Sequence, residues 1–217
     1  MPRPAPCEVE IPGPHDPDPE PTEAGLLARV RGGERDAFAA LVRRHAAGAR
    51  RTAVLLGAGE EADDVVQEAF VKAYRALGGF REGADFRPWL LRIVANETRN
   101  AQRARRRRTA REGSPTAQPD GLLPGAGSAA DPAERAVAAD RMAALWQRLH
   151  ALPEPQRRVL VCRFLLDLDE AQTATVLGVA RGTVKSRTAR GLGRLRALLA
   201  EAAPRSGPAA TEGAGHG

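Results

Sequence analysis

Asp169–Arg196 reads DEAQTATVLGVARGTVKSRTARGLGRLR, the pattern of a helix, a tight turn and a second, cationic helix. Ala174 lies four residues before Gly178, where two crossing helices must approach closely, and Gly178 admits the positive φ that a tight turn needs. Leu177, Val179 and Val184 supply apolar contacts around the turn. The second helix presents Arg181, Lys185, Arg187, Arg190, Arg194 and Arg196, and no acidic residue occurs between Ala171 and Ala200 to neutralise them. Such a helix fits the major groove, with its first turn against base edges and its cations against phosphates. The blander alternative is a solvated basic face on an ordinary helical hairpin. With nothing internal to offset the charge, the segment reads as a DNA-binding module.

Working outward, the 217 residues leave room for one or two modest helical cores. Only 4% of residues are aromatic while Ala, Leu, Arg and Glu abound, a mixture that favours helices over sheets. The net charge of +6 suits a polyanionic partner without identifying one. Two cysteines, Cys7 and Cys162, make no metal site by themselves, and Cys162 in an apolar helix is expected to be a small buried hydrophobe. There is no Ser/His/Asp set, no Walker glycine loop and no metal-ligand cluster, so an enzyme, a cofactor and a metal are not expected. Neither a signal peptide nor a bilayer-spanning apolar run is visible, which predicts a soluble, cytoplasmic protein without membrane insertion.

Residues 1–22 alternate prolines with acids and lack the apolar side chains needed to offset ordering entropy, which predicts a disordered arm. A Gly/Pro/Ala-rich tail over 203–217 reads the same way. The first helical block, 23–108, contains helices over Glu23–Arg31, Glu34–Leu56 and Glu60–Leu77, and one from near Pro88 to about Arg108. His45 on the second helix reads as an edge or capping residue, with no partner cluster to make it a ligand. Breakers mark 109–130 as a flexible linker, and the second block, 131–202, holds helices over 132–151 and 153–166 before the helix-turn-helix. The expected fold is therefore all-α, two small helical domains joined by a flexible linker. About 22 coil residues span roughly 25 Å on average but extend to about 70–80 Å, enough to hold two DNA sites two helical turns apart if something keeps the linker stretched.

Two further features accompany the helix-turn-helix. On the third helix Asp64, Gln67 and Glu68 lie opposite a clean apolar stripe, a pattern that by itself describes a solvated face. On the fourth, Asn96, Arg99, Asn100 and Arg103 share one side and are side chains that read base edges or clamp phosphates. Thr98–Arg111 holds seven arginines and no acid, a repulsive cluster that phosphates relieve. Phe80, Phe86 and Trp89 flank the preceding loop; Trp89 reads as a core anchor, and Phe80 and Phe86 divide evenly between core packing and stacking on unpaired bases.

At these residues the sequence resembles the extracytoplasmic-function sigma factors, the compact two-domain branch of the sigma-70 superfamily. The resemblance is carried by DAFAALVRRH (36–45), EEADDVVQEAFVKAYRAL (60–77), FRPWLLRIVANETRN (86–100), LPEPQRRVLVCRF (152–164) and VLGVARGTVKSR (176–187), in the family's order. It implies that the first block is a sigma region 2 in which Asp64, Gln67 and Glu68 dock on bacterial core RNA polymerase. The loop over 78–85 with Phe80, Phe86, Asn96, Arg99, Asn100 and Arg103 would recognise and help open the −10 element. The second block would be a region 4 reading the −35 element through Arg181, Thr183, Lys185, Ser186, Arg187 and Arg190. The linker would thread through polymerase, and an anti-sigma factor would hold the protein inactive.

There are departures: Asn100 stands where the family often has Asp, Gln172 replaces a common Glu, and Gly191 and Gly193 are expected to fray or bend the last helix. Two rival readings explain less. A stand-alone helix-turn-helix regulator leaves the first block unexplained and shows no dimer seam. A nucleic-acid-processing enzyme lacks a catalytic cluster.

Overall fold

The computed structural model describes residues 21–112 and 132–201, so most of both arms and of the expected linker lies outside the described residues. Residues 109–112, expected in the linker, instead continue the fourth helix. All regular elements among the described residues are helical: α1 Glu23–Arg31, α2 Arg35–Leu55, α3 Ala62–Ala76, α4 Phe86–Glu112, α5 Pro132–His150, α6 Glu154–Leu160, α7 Glu170–Leu177 and α8 Arg181–Glu201. None of them is long and apolar enough to cross a membrane.

The chain divides into two compact units between Leu41 and Val42, partway along α2. In the first, Thr22 caps α1 by accepting from the Gly25 amide at 3.2 Å, and Leu26, Leu27 and Val30 are buried. Arg29 Nε donates to Glu34 Oε2 at 2.8 Å across the turn into α2.

The second unit is organised around α3 and α4. Val65, Ala69, Phe70 and Ala73 bury the expected stripe of α3, which ends in a 3₁₀ turn over Leu77–Gly79. Lys72 Nζ reaches Glu97 Oε2 on α4 at 2.6 Å and Glu68 Oε1 at 3.4 Å, which tethers the polar edges of the two helices. The first half of α4 is apolar and buried through Phe86, Leu90, Leu91, Val94 and Ala95. Thr98, also buried, donates its hydroxyl to Val94 O at 2.9 Å, after which the helix turns polar. Gln102 Nε2 then donates to Leu56 O at 2.8 Å and Gly57 O at 3.0 Å, closing carbonyls left open at the end of α2.

The two sequence blocks, expected to be joined only through the linker, are packed together. Leu55, Leu56, Leu91 and Ala95 share one apolar core with Trp146, Leu149, Val159, Leu160, Cys162, Val176 and Val184. Burial pushes the Cys162 thiol to about 12, as expected of an inert core residue. The helix expected through Leu166 instead changes at Val161 into a π turn, in which the Leu166 amide donates to Val161 O at 3.0 Å. Asp167 follows at φ 52, a left-handed conformation that aspartate tolerates better than most side chains. The exposed carbonyl end of this turn accepts arginines from the other block: Arg51 Nη2 lies 2.9 Å from Leu165 O and Arg87 Nη2 3.0 Å from Leu166 O.

In the helix-turn-helix, Gly178 adopts φ 66 as expected. Asp169 and Gln172 form a reciprocal capping box at the start of α7: the Gln172 amide donates to Asp169 Oδ1 at 2.7 Å, and the Asp169 amide to Gln172 Oε1 at 3.1 Å. Gln172 is thus a helix cap. The expected bend at Gly191 and Gly193 is absent, because α8 runs unbroken through both. A Cβ at Gly191 would lie 3.1 Å from Leu160 Cδ1 and 3.2 Å from Leu160 Cγ, so this glycine permits close packing of α8 on α6. Gly193 has open space.

Gly191→Val should therefore cost about 1–3 kcal/mol by overpacking, whereas Gly193→Ala should stabilise by up to about 1 kcal/mol; urea unfolding of the two variants measures both. His150 offers a second check. Its ring packs edge-on against Trp146 at 5.0 Å and its Nδ1 lies 3.0 Å from Trp146 O. Burial lowers its pKa from 6.5 and Arg157 adds to the effect, against the opposing bond to Trp146 O. The unfolded chain therefore binds the proton more readily, so the stabilisation is complete above about pH 6.5 and declines as pH falls below it. Thermal unfolding on either side of that pH should show the decline, and His150→Gln should flatten it.

Candidate nucleic-acid interface

The α8 face follows directly from the turn before it. With α7 capped and Gly178 reversing the chain, Val184 is buried while Arg181, Lys185, Ser186 and Arg190 are exposed. Thr183 and Arg187 are half-buried on its flanks. Ser186 donates to Thr183 O at 3.2 Å and Arg190 folds back on Ser186, Nε to its carbonyl at 3.2 Å, so these two side chains are held along the helix.

The α4 face is a second cationic surface. Asn96, Asn100 and Arg103 are exposed and Arg99 is half-buried, with Arg99 Nη1 3.3 Å from Asn96 Oδ1. At 27 residues α4 is about 40 Å long, so these side chains occupy its middle, and Arg105, Arg106, Arg107, Arg108 and Arg111 its far end. Arg108 at that end is paired with Glu61.

Phe80 and Phe86 require a correction. Phe86 is completely buried and Phe80 only 6% exposed. Their rings meet at 5.8 Å, Trp89 lies 4.9 Å from Phe80 and 5.5 Å from Phe86, and His45 sits edge-on to Phe86 at 5.2 Å. Neither phenylalanine presents a free face to a base; the pair forms the floor under the loop, and Trp89 and His45, both half-buried, are the rings of the cluster that retain exposure.

The third surface is on α3, where Asp64, Gln67 and Glu68 are all exposed on one side. Val71 and Tyr74 extend this strip and are also exposed, at 37% and 44%. The sequence reading missed them; their signal was that both fall outside the apolar stripe of α3, although neither is polar. A strip of acids and amides continued by uncovered apolar side chains is suited to a protein partner.

The packing of the blocks brings the two cationic faces to a common cleft of about 360 Å3, lined by Arg99, Arg103 and Arg106 of α4, Glu154 and Arg158 of α6, and Arg187 of α8. Candidates assigned to separate DNA elements thus converge: Arg99 and Arg103 share a cavity with Arg187. Among the described residues no group of acids, histidines and cysteines is arranged to hold a metal ion.

A capped helix-turn-helix with a cationic second helix, beside a second cationic helix, is the architecture of a DNA-binding protein. Residues 39–108 match Sigma-70 region 2, and residues 142–195 match Sigma-70, region 4. The ECF RNA polymerase sigma factor SigM of Mycobacterium tuberculosis (strain ATCC 25618 / H37Rv) is 40% identical over 179 residues, covering 82% of this chain and 85% of that protein. The ECF RNA polymerase sigma-E factor of Escherichia coli (strain K12) is 30% identical over 168 residues, covering 76% and 88%. The solved structure of CnrH in complex with the cytosolic domain of CnrY superposes with a TM-score of 0.59 at 28% identity, over 82% of this chain and 97% of that one; CnrH is a sigma factor of Cupriavidus metallidurans. The sigma factor RpoE of Bartonella quintana, solved with the anti-sigma factor NepR, shares the fold with a TM-score of 0.60 at 24% identity, over 75% and 96%. The chain belongs to the extracytoplasmic-function RNA polymerase sigma factors.

The packing makes its own prediction. Arg51→Ala combined with Arg87→Ala removes both arginine bonds to the π-turn carbonyls, each charge-assisted and contributing at most about 1.5–3 kcal/mol. Amides of α7 should then exchange hydrogen faster while those of α3 keep their protection, as read by hydrogen–deuterium exchange. Unchanged α7 protection would mean that the apolar core alone closes the two blocks.

Proposed function

We propose that this sigma factor brings bacterial core polymerase to promoters through three separate surfaces and acts by binding alone, in the cytoplasm, without a catalytic step of its own. Asp64, Gln67 and Glu68, continued by Val71 and Tyr74, form the polymerase-docking strip. Asn96, Arg99, Asn100 and Arg103 engage the −10 element as it opens, and Arg181, Thr183, Lys185, Ser186, Arg187 and Arg190 engage the −35 element. The observation that carries this reading is the α8 surface: a recognition helix behind a capped partner, with Arg181, Lys185 and Arg190 exposed and no carboxylate on the helix before Glu201. Domain limits of 23–108 and 131–202 belong to this reading, with one block assigned to each promoter element.

An anti-sigma protein is the expected inhibitor. The solved relative RpoE carries one, and a partner that bound the present chain with its blocks closed would keep Arg99, Arg103 and Arg187 turned into the cleft. Closure also explains why the free protein should bind duplex DNA weakly. A duplex has a major groove about 12 Å wide, and cations facing each other across a cleft of about 360 Å3 do not reach it together.

The test is transcription by sigma-free bacterial core polymerase mixed with the purified protein on a randomised promoter library. Enriched templates should share two separated motifs. Asp64→Lys with Gln67→Lys should abolish assembly with core while leaving the helical fold intact. Lys185→Ala should weaken promoter binding across sequences and reduce the log–log salt slope by about 1. Folded, inhibitor-free protein that neither bound core nor initiated would sink the proposal, and tight sequence-specific binding by the protein alone would return the stand-alone regulator to the front.

A further inference from the structure

The cleft between α4, α6 and α8 holds more positive charge than any surface around it accounts for. Five guanidinium groups line it, those of Arg99, Arg103, Arg106, Arg158 and Arg187, against the single carboxylate of Glu154. Among the described residues, no carboxylate oxygen comes within 4 Å of a guanidinium nitrogen of Arg99, Arg103, Arg106 or Arg187. A solvated cationic face would spread its charges outward. Here Arg158 is buried, Arg99 and Arg187 are half-buried and Arg103 and Arg106 are exposed, yet all five gather at one cleft, where they repel.

Arg158 is the sharper observation. It is 9% exposed, and its Nε has no hydrogen-bond partner. The remaining nitrogens are held loosely: Nη2 is 3.5 Å from Ala95 O, and Nη1 is 3.7 Å from Glu154 Oε1. A guanidinium has five N–H donors in a rigid fork, and burying it without strong acceptors is costly. Burial lowers its pKa from the ordinary guanidinium value, and the nearby Arg99 pushes in the same direction. The arginine is therefore buried, under-bonded and among like charges, all of which an anion in the cleft would relieve.

We infer that this cleft is a binding site for a small oligophosphate, a chain of two or more phosphates, free or carried on a nucleoside. Guanidinium forks match phosphate oxygens in pairs, and phosphates in a row answer five cations where a lone carboxylate does not. The volume of about 360 Å3 is that of a small-molecule site and is too small for duplex DNA or a folded partner. Pro155, Leu177 and Val179 give the cleft one apolar wall, against which a base could lie. An oligophosphate here would bond to α4, α6 and α8 at once and stabilise the closed packing of the two blocks. The site itself stands on geometry alone. Its regulatory consequence, withholding Arg99, Arg103 and Arg187 from promoter DNA, rests on the proposed function.

The test is calorimetric titration of the full-length protein with sodium tripolyphosphate and, separately, with ATP, at one fixed ionic strength. Saturable one-to-one binding is expected with tripolyphosphate, and tighter binding of ATP would place its base against the apolar wall. Arg106→Glu should weaken binding by about tenfold or more. Arg107→Glu makes the same charge change one residue outside the cleft and should weaken it far less. Arg158→Gln, which retains donors while removing the buried charge, repeats the test from α6. Absence of saturable binding, or equal losses in the Arg106 and Arg107 variants, overturns the site. Assembly of the wild-type protein with core polymerase is read in parallel by gel filtration in buffer free of nucleotides and phosphate, so a failed sigma-factor reading is seen separately from a failed anion site.

Discussion

Burial of the first half of α4 is the interaction on which the second unit depends. Leu90, Leu91, Val94 and Ala95 are all at or below 2% exposure, and each larger side chain contributes about 1.5–3 kcal/mol of transfer free energy before entropy is set against it. The same helix serves both sides: it is tethered to α3 through Lys72 and Glu97, and Leu91 and Ala95 enter the core that contains Trp146 and Val159. This anchoring lets the second half of α4 remain helical although its arginines repel one another. An isolated segment with the composition of Thr98–Arg111 gains nothing from burial and loses from like charge at three- and four-residue spacing. Continued from a buried half, it is carried out as a rigid cationic rod.

Much of this was legible because it is written in local periodicity. The stripe of α3 follows from its three-four pattern, and the turn at Gly178 from the need for a positive φ. What escaped depends on partners distant in sequence. Gly191 reads as a helix breaker until Leu160, over thirty positions away, is found where its Cβ would go. The π turn leaves no trace in VLVCRFLL, whose apolar run satisfies any helical spacing; it arises where the chain must end a helix and place Leu166 and Leu168 inward. Phe80 and Phe86 carried equal weight as core or platform because an aromatic beside cations has the same composition either way; only His45 and Trp89 around them decide it.

The functional surfaces divide along the same line. Charge runs on α4 and α8 are visible as counts, and the acids and amide of α3 as a face. The relation of these surfaces to one another is a tertiary fact. Leu55, Leu56 and Leu91 are core residues whether or not a second block covers them, so the sequence offers no means of telling a block that packs on its neighbour from one that swings free. Hence Arg187 and Arg99, legible separately as cations for two DNA elements, were not legible as neighbours across one cleft.

That neighbourhood sets two demands against each other. Cations gathered at one cleft oppose closure, so the closed arrangement must be held by the apolar core and by Arg51 and Arg87 on the π-turn carbonyls. Neither holding term depends strongly on salt, whereas repulsion among Arg99, Arg103, Arg106 and Arg187 is screened over about 8–10 Å at physiological ionic strength. Binding to DNA also weakens with salt, because released counterions gain less entropy. Ionic strength therefore acts twice in one direction, easing closure and weakening the polyanion that competes with it. A polyanion acts in the opposite sense on the same residues, and its size decides the outcome. One large enough to need both faces separately must open the cleft, while one small enough to lie within it removes the repulsion and leaves the core free to keep the cleft closed.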